Sequence, residues 1–148
     1  MKALLQRVTK AQVEINGNTV GSIQHGLLIL LGISPTDSEQ VARKLAARVA
    51  GYRMFSDAND KMNLSLSDDN GEALVVSQFT LAADTNSGRR PSFSSAAPPA
   101  QAEPLYLAFV EELKALGISV ATGEFGADMQ VSLTNDGPVT FLLDTEKS

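Results

Sequence analysis

The chain is expected to be an α/β protein of one domain over residues 1–148, whose mixed β-sheet curls into a barrel-like form, carries two main helices and pairs as a homodimer. Three observations predict this. Strand-like segments outnumber helical ones, in the order three strands, helix, strand, loop, helix, three strands. Two helices cannot cover both faces of so much sheet, so the sheet must curl, find a partner, or both. A length of 148 residues, with no internal repeat and no linker, suits one domain large enough to bury a core.

The elements follow in order. Val13 and Ile15 alternate with polar neighbours, and "NGN" at Asn16–Asn18 signals a hairpin into "TVGSI". "GLLILLGI", Gly26 to Ile33, reads as a strand buried on both faces, and it is far too short to cross a bilayer. "SPTDSEQVARKLAARVAGY" is a helix: Asp37 or Ser38 can cap it, Val41, Leu45 and Val49 recur every four residues, and Gly51 stops it. "DDNGEALVVSQFTL" gives a turn and then an apolar strand ending in polar Ser77, Gln78 and Thr80. Ala83 to Pro99 is a long aperiodic loop, and loops of that length in a small domain are usually functional or mobile. "AEPLYLAFVEELKALG" places Leu105, Phe109 and Leu113 on one helical face, and "ISVATG", "MQVSL" and "VTFLLD" close the chain as three short strands.

Composition narrows the function. Hydrophobic residues make up 43% and there is no cysteine, no apolar run of membrane length and no secretory layout at the N-terminus, so a cytoplasmic protein is the default expectation. A net charge of −5 argues against a broad phosphate footprint on nucleic acid, though not against a grip on a single strand end. Local positive charge exists at Arg7 and Lys10, at Arg43, Lys44 and Arg48, and at Arg89 and Arg90.

Common catalytic machinery is missing. The one histidine, His25, stands where a buried strand begins, and nothing in the sequence places an acid beside it. Without cysteine and with one histidine, a metal site of the usual zinc type is not expected. Asp57, Asn59 and Asp60 lack the glycine and terminal glutamate of a calcium loop. Any enzymatic reaction should therefore be one that is already easy, needing neither cofactor nor strong acid or base.

Two stretches stand out. "SQFTL", Ser77–Leu81, puts polar groups around Phe79 where a buried strand emerges; it could be an ordinary strand end, or a set of N–H and hydroxyl donors for a developing oxyanion. "NDGPVT", Asn135–Thr140, interrupts two strand-like runs. Gly-Pro weakens any strand, so it reads either as a hairpin turn or as bare, stiff backbone pointed at something.

Taken together, "QRVTKAQVEING", "GLLILLGI", "RMFSDANDKMNLSL", "VVSQFTLAAD", "RRPSFSSAA" and "TGEFGADMQVSLTNDGPVTF" resemble the D-aminoacyl-tRNA deacylases, in the same order and over nearly the whole chain. The resemblance implies a homodimer that hydrolyses the ester between a D-amino acid and the aminoacylated 3′ end of tRNA, with the active site at the subunit interface. It implies that Ser77, Gln78, Phe79 and Thr80 form the catalytic corner, Phe79 chiefly through its backbone amide. It further implies that Gly137-Pro138 is a cis peptide inserted from the partner subunit to reject the L enantiomer, with Arg7 and Asn135 supporting it. Phe125 and Met129 would line the adenine pocket. One departure is Gln24, where relatives often carry glycine. Rival readings are a dimer that binds a tRNA end without hydrolysis, an esterase using Thr80 as nucleophile, and a purely structural dimer.

Overall fold

The structure, a computed structural model, describes residues 1–146. Its elements are β1 (Lys2–Ile15), β2 (Asn18–Ile23), β3 (Gly26–Gly32), α1 (Glu39–Gly51), β4 (Phe55–Ser56), β5 (Met62–Leu64), β6 (Glu72–Ser77), a 3₁₀ turn at Phe79–Ala82, α2 (Pro99–Ala115), β7 (Ser119–Thr122) and β8 (Gln130–Asp144). The sheet runs β8-β1-β3-β6-β7, with β2 beside the second half of β1. β3, β6 and β7 are parallel, and α1 and α2 sit in the crossovers between them, because parallel neighbours need a long return path.

Strand alternation sorts the apolar residues into two cores. Leu27, Ile29 and Leu31 of β3 and Ala73 and Val75 of β6 face the helices, meeting Leu45 and Val49 of α1 and Leu105, Phe109 and Leu113 of α2. Leu28, Leu74 and Val76 point the other way, into a smaller core with Val8, Val13 and Ile23. That second core exists because the sheet curls back on itself. β1 slips register against β8 between Val8 and Lys10, which brings Ala11 and Val13 inside with Val8. β2 then closes on β7 at Gly21, where a Cβ would lie 2.3 Å from the Thr122 carbonyl oxygen. The curl is barrel-like, as expected.

The curl covers only part of the inner face. Toward the other end of β1, Leu4 pairs with both Leu30 and Leu142, so by alternation these three form a row on the face away from the helices. Leu4 and Leu30 are half-buried, and Leu142 is 51% exposed. Residues 79–82 pack over one end of this bare face, with Leu81 against Gly32.

Several expectations need correction. "MQVSL" and "VTFLLD" belong to one strand, and "NDGPVT" is not a hairpin. A hairpin would pair the two runs with each other, yet both pair with β1, at Lys10–Glu14 and at Lys2–Gln6. Between them β1 advances from Gln6 to Val8 while β8 runs from Thr140 back to Asn135, so the surplus backbone is pushed out of the ladder. β4 and β5 form a further small hairpin, outside the expected element order; the Asp57 carboxylate accepts from the Asn59 and Lys61 N–H groups in its turn. His25 does have an acid beside it, since its Nε2 contacts the Asp69 carboxylate across the β3 and β6 starts. The second helix begins at Pro99, a turn before the run that suggested it, because proline fits a helix's first positions. Ser38 rather than Asp37 caps α1, accepting from the Val41 N–H at 3.3 Å.

Candidate active site

The last ladder bond between β3 and β6 runs from the Gln78 N–H to the Leu31 carbonyl at 2.8 Å, and the chain then winds into the 3₁₀ turn. The N–H groups of Phe79 and Thr80 stand at its first positions, which have no carbonyl one turn earlier to receive them within the turn. The Gln78 side-chain amide donates to Thr80 Oγ, so the hydroxyl is engaged by a neutral group rather than by a base. Beside this corner lies a cavity of about 790 Å³. Ser77, Gln78 and Phe79 line it, as do Phe125 and Met129 from the segment joining β7 to β8. Met129 is seated against Gly123, where a Cβ would meet its sulfur at 2.5 Å. Thr80 is exposed and lies outside the lining.

Part of the wall comes from residues that sequence reasoning did not single out. Phe93, Ala96, Ala97, Pro98 and Pro99 of the long loop line it, with Ile33, Ala102 and Val131. The sequence signals were the loop's length and the segment "RRPSFSSAA", which carries part of the family resemblance without a role assigned to any of its residues. It is tied down at its base by reciprocal backbone bonds between Asp84 and Ser92 (2.7 and 2.9 Å), by Ser95 Oγ donating to the Ala82 carbonyl, and by the Ala97 N–H donating to the Ile33 carbonyl. Phe93 thereby reaches Phe79, ring centres 5.3 Å apart, with both side chains about half exposed (46% and 57%).

None of the lining residues is ionisable. The nearest phenol, Tyr106, packs its ring 5.8 Å from Phe125, and its hydroxyl donates to the Val75 carbonyl at 3.0 Å. Burial pushes its pKa up to about 12, against a smaller opposing effect of Thr122, so it stays neutral. The cavity can position a substrate and offer backbone dipoles, and it supplies no proton-transfer group.

The pushed-out corner of β8 is held from both sides. Arg7, only 12% exposed at its side chain, donates from Nε to the Asp136 carbonyl (3.1 Å) and from Nη1 to the Met54 carbonyl (3.0 Å). The Asn135 amide donates to the Arg7 and Val139 carbonyls, each at 2.9 Å, which clamps the two ends of the corner together. Between them Gly137-Pro138 is a cis peptide, with Gly137 at φ +132°, a region that excludes most side chains, and both residues are exposed.

Gly137 and Pro138 do not line the cavity. The corner lies level with Arg7, opposite Leu27 of β3, whereas Ser77 lies opposite Leu31. That is about 13 Å along the strands and, from β8 to β6, about 14 Å across them. Within the chain the two motifs do not meet.

A family model described as D-Tyr-tRNA(Tyr) deacylase matches residues 4–144. The D-aminoacyl-tRNA deacylase of Pseudoalteromonas translucida (strain TAC 125) is 63% identical over 143 residues, covering 97% of this chain and 99% of its own. That of Lacticaseibacillus casei (strain BL23) is 59% identical over 146 residues, covering 99% of each. Among solved structures, the c-Myc DNA unwinding element binding protein superposes with a TM-score of 0.92 at 39% identity, covering 98% of this chain and 99% of its own.

Proposed function

Since this chain belongs to the D-Tyr-tRNA(Tyr) deacylase family, we propose that it hydrolyses D-aminoacyl-tRNA to the free D-amino acid and tRNA, rejecting the L enantiomer with a backbone wall. The observation that carries this reading is a cavity of about 790 Å³ at the end of β6 with no ionisable residue in its lining. Such a site cannot drive difficult hydrolysis. An aminoacyl ester is labile, because its protonated α-amine activates the carbonyl, and it needs mainly positioning and a place for the oxyanion. The Phe79 N–H at the cavity wall supplies that place, with the Thr80 N–H next to it just outside the lining. Water adds to the ester carbonyl, assisted by the neighbouring ribose hydroxyl, and the terminal adenosine leaves from a pocket walled by Phe125 and Met129. Thr80 is a poor nucleophile here, because Gln78 is its hydrogen-bond partner and no base is at hand.

The chirality reading rests on a second copy of the chain. The bare face carries Leu4, Leu30 and Leu142 near its middle and the 79–82 turn at one end, while the Gly137-Pro138 corner leaves the edge strand level with its other end. A two-fold axis through that leucine row would exchange the ends, bringing each protomer's corner to the other's cavity. The long outer edge of β8, which pairs only with β1 among the described residues, also favours a partner. With the amine and ester pinned, carbonyls of the inserted corner leave room for hydrogen but not for a side chain in the L direction. The D side chain points away and goes unread. Glycine, with two hydrogens, should pass the same wall.

The test is hydrolysis of one tRNA charged in turn with D-tyrosine, L-tyrosine and glycine by catalytic amounts of the protein. Rapid loss of the D and glycyl esters with the L ester spared is expected. Loss of both enantiomers would leave an esterase without the wall, and no loss would leave a binding protein.

A further inference from the structure

The tip of the long loop, residues 85–91, carries two arginines that the chemistry above does not use. Arg89 and Arg90 are exposed, and neither forms an ion pair among the described residues. The loop's own acid, Asp84, is occupied by the Asn86 N–H at 2.9 Å. In a chain of net charge −5, two consecutive arginines without an ion pair among the described residues mark a local reversal of sign. Their backbone lies close in sequence to the cavity's edge. The Asp84–Ser92 pairing anchors the tip, and Phe93 follows Arg90 by three residues, at most about 10 Å of extended chain. Phe93 and Phe79 present a half-exposed aromatic pair at the cavity's edge. Cationic groups beside an open aromatic platform are what single-stranded RNA requires, phosphate on one and base on the other.

We propose that this loop is a second RNA subsite, in which Arg89 and Arg90 bind the phosphates of the nucleotides preceding the terminal adenosine and the Phe79–Phe93 pair stacks the penultimate base. The proposal rests on the reading that the cavity takes the terminal adenosine. It gives the enzyme a way to prefer an ester on a polynucleotide over the same ester on a free nucleoside, without a broad basic face.

The experiment compares the wild type with the R89Q/R90Q double variant on D-tyrosyl-tRNA and on the D-tyrosyl ester of adenosine, which has no phosphate. The variant should lose about tenfold in kcat/KM on the tRNA, and its salt slope should shrink by about 1.4, the value for two single-strand phosphate contacts. Its rate on the adenosine ester should equal that of the wild type. Equal rates on tRNA, or a parallel fall on both esters, would overturn the proposal, the latter meaning that the loop merely props the cavity. Anisotropy with an uncharged acceptor-stem hairpin reads the contact without hydrolysis. About tenfold weaker binding by the variant is expected, and equal binding would sink the RNA subsite even if the ester is cleaved. Intact binding differences without cleavage by the wild type would instead sink the deacylase reading.

Discussion

At Ser77 the chain leaves β6 by winding into a turn beside a cavity of the same chain. At Asn135 it leaves the β1 ladder by stepping outward, carrying two exposed residues away from that cavity. The first corner is shaped by backbone bonds: Gln78 to Leu31, Leu81 to Gln78 and Ala83 to Thr80. The second is shaped by the side chains of Arg7 and Asn135 reaching across from β1 and within β8. One corner is therefore a receptacle and the other a projection. A receptacle can be made by letting helix N–H groups go unpaired. A projection without side chains of its own has nothing to pack, so its stiffness must be imported from neighbours.

The sharpest way to break this pairing is Gly137→Ala. A Cβ there would sit 2.6 Å from Val139 Cγ2 and 3.1 Å from Arg7 Nη2, at a φ that L residues avoid, so the corner must move. Displacement of a positioning group by about 1 Å costs on the order of 10²-fold, and kcat/KM for D-tyrosyl-tRNA should fall by that much. The D-over-L ratio should fall with it. Thermal stability should fall modestly, by about 1–3 kcal/mol, because Gly137 and Pro138 are exposed and outside both cores while Val139, which the new Cβ meets, packs in the larger one. Unchanged enantiomer discrimination would remove the corner from the site.

A weaker break separates the two corners without touching either. Leu142→Glu puts a charge in the middle of the leucine row while leaving the protomer's cores intact. Sedimentation should report monomers at micromolar concentration, and kcat/KM should drop about tenfold and recover as protein concentration rises, because activity then follows the dimer population. A monomer with full activity and full chiral selection would show that one protomer suffices.

The asymmetry between the corners also explains what could be read from sequence. Gly26–Ile33 and the four-residue spacing of Val41, Leu45 and Val49 announce their elements because burial is periodic. The Ser77–Thr80 corner was legible as a polar break after an apolar strand, and Phe125 and Met129 do reach its cavity. The β8 corner misleads local reasoning, since Asn-Asp-Gly-Pro has the composition of a hairpin turn. What prevents a hairpin is long-range: β1 is 14 residues long and offers one continuous edge to both halves of β8. His25 and Asp69, 44 positions apart, are brought together by the same kind of nonlocal pairing, and no window of sequence contains it.

The smallest expected effect on activity comes from the scaffold behind the receptacle. Tyr106→Phe removes the phenol donor to the Val75 carbonyl, two residues before the Ser77 corner, and leaves that carbonyl the Gly123 N–H at 3.4 Å. Loss of one such hydrogen bond costs about 0.5–1.5 kcal/mol, and melting should fall by about 1–6 °C, yet kcat/KM should change less than about threefold because no proton moves through this phenol. The same group sets an alkaline limit. Its folded pKa is raised to about 12 from 10.0, so its stabilising contribution is complete below pH 10 and is lost as pH rises toward 12. Wild type and variant should therefore converge in stability over that window. A large kcat effect in the variant, or an activity limb between pH 6 and 9 traceable to it, would mean that the receptacle uses a proton donor after all, and that orientation and backbone dipoles are not enough.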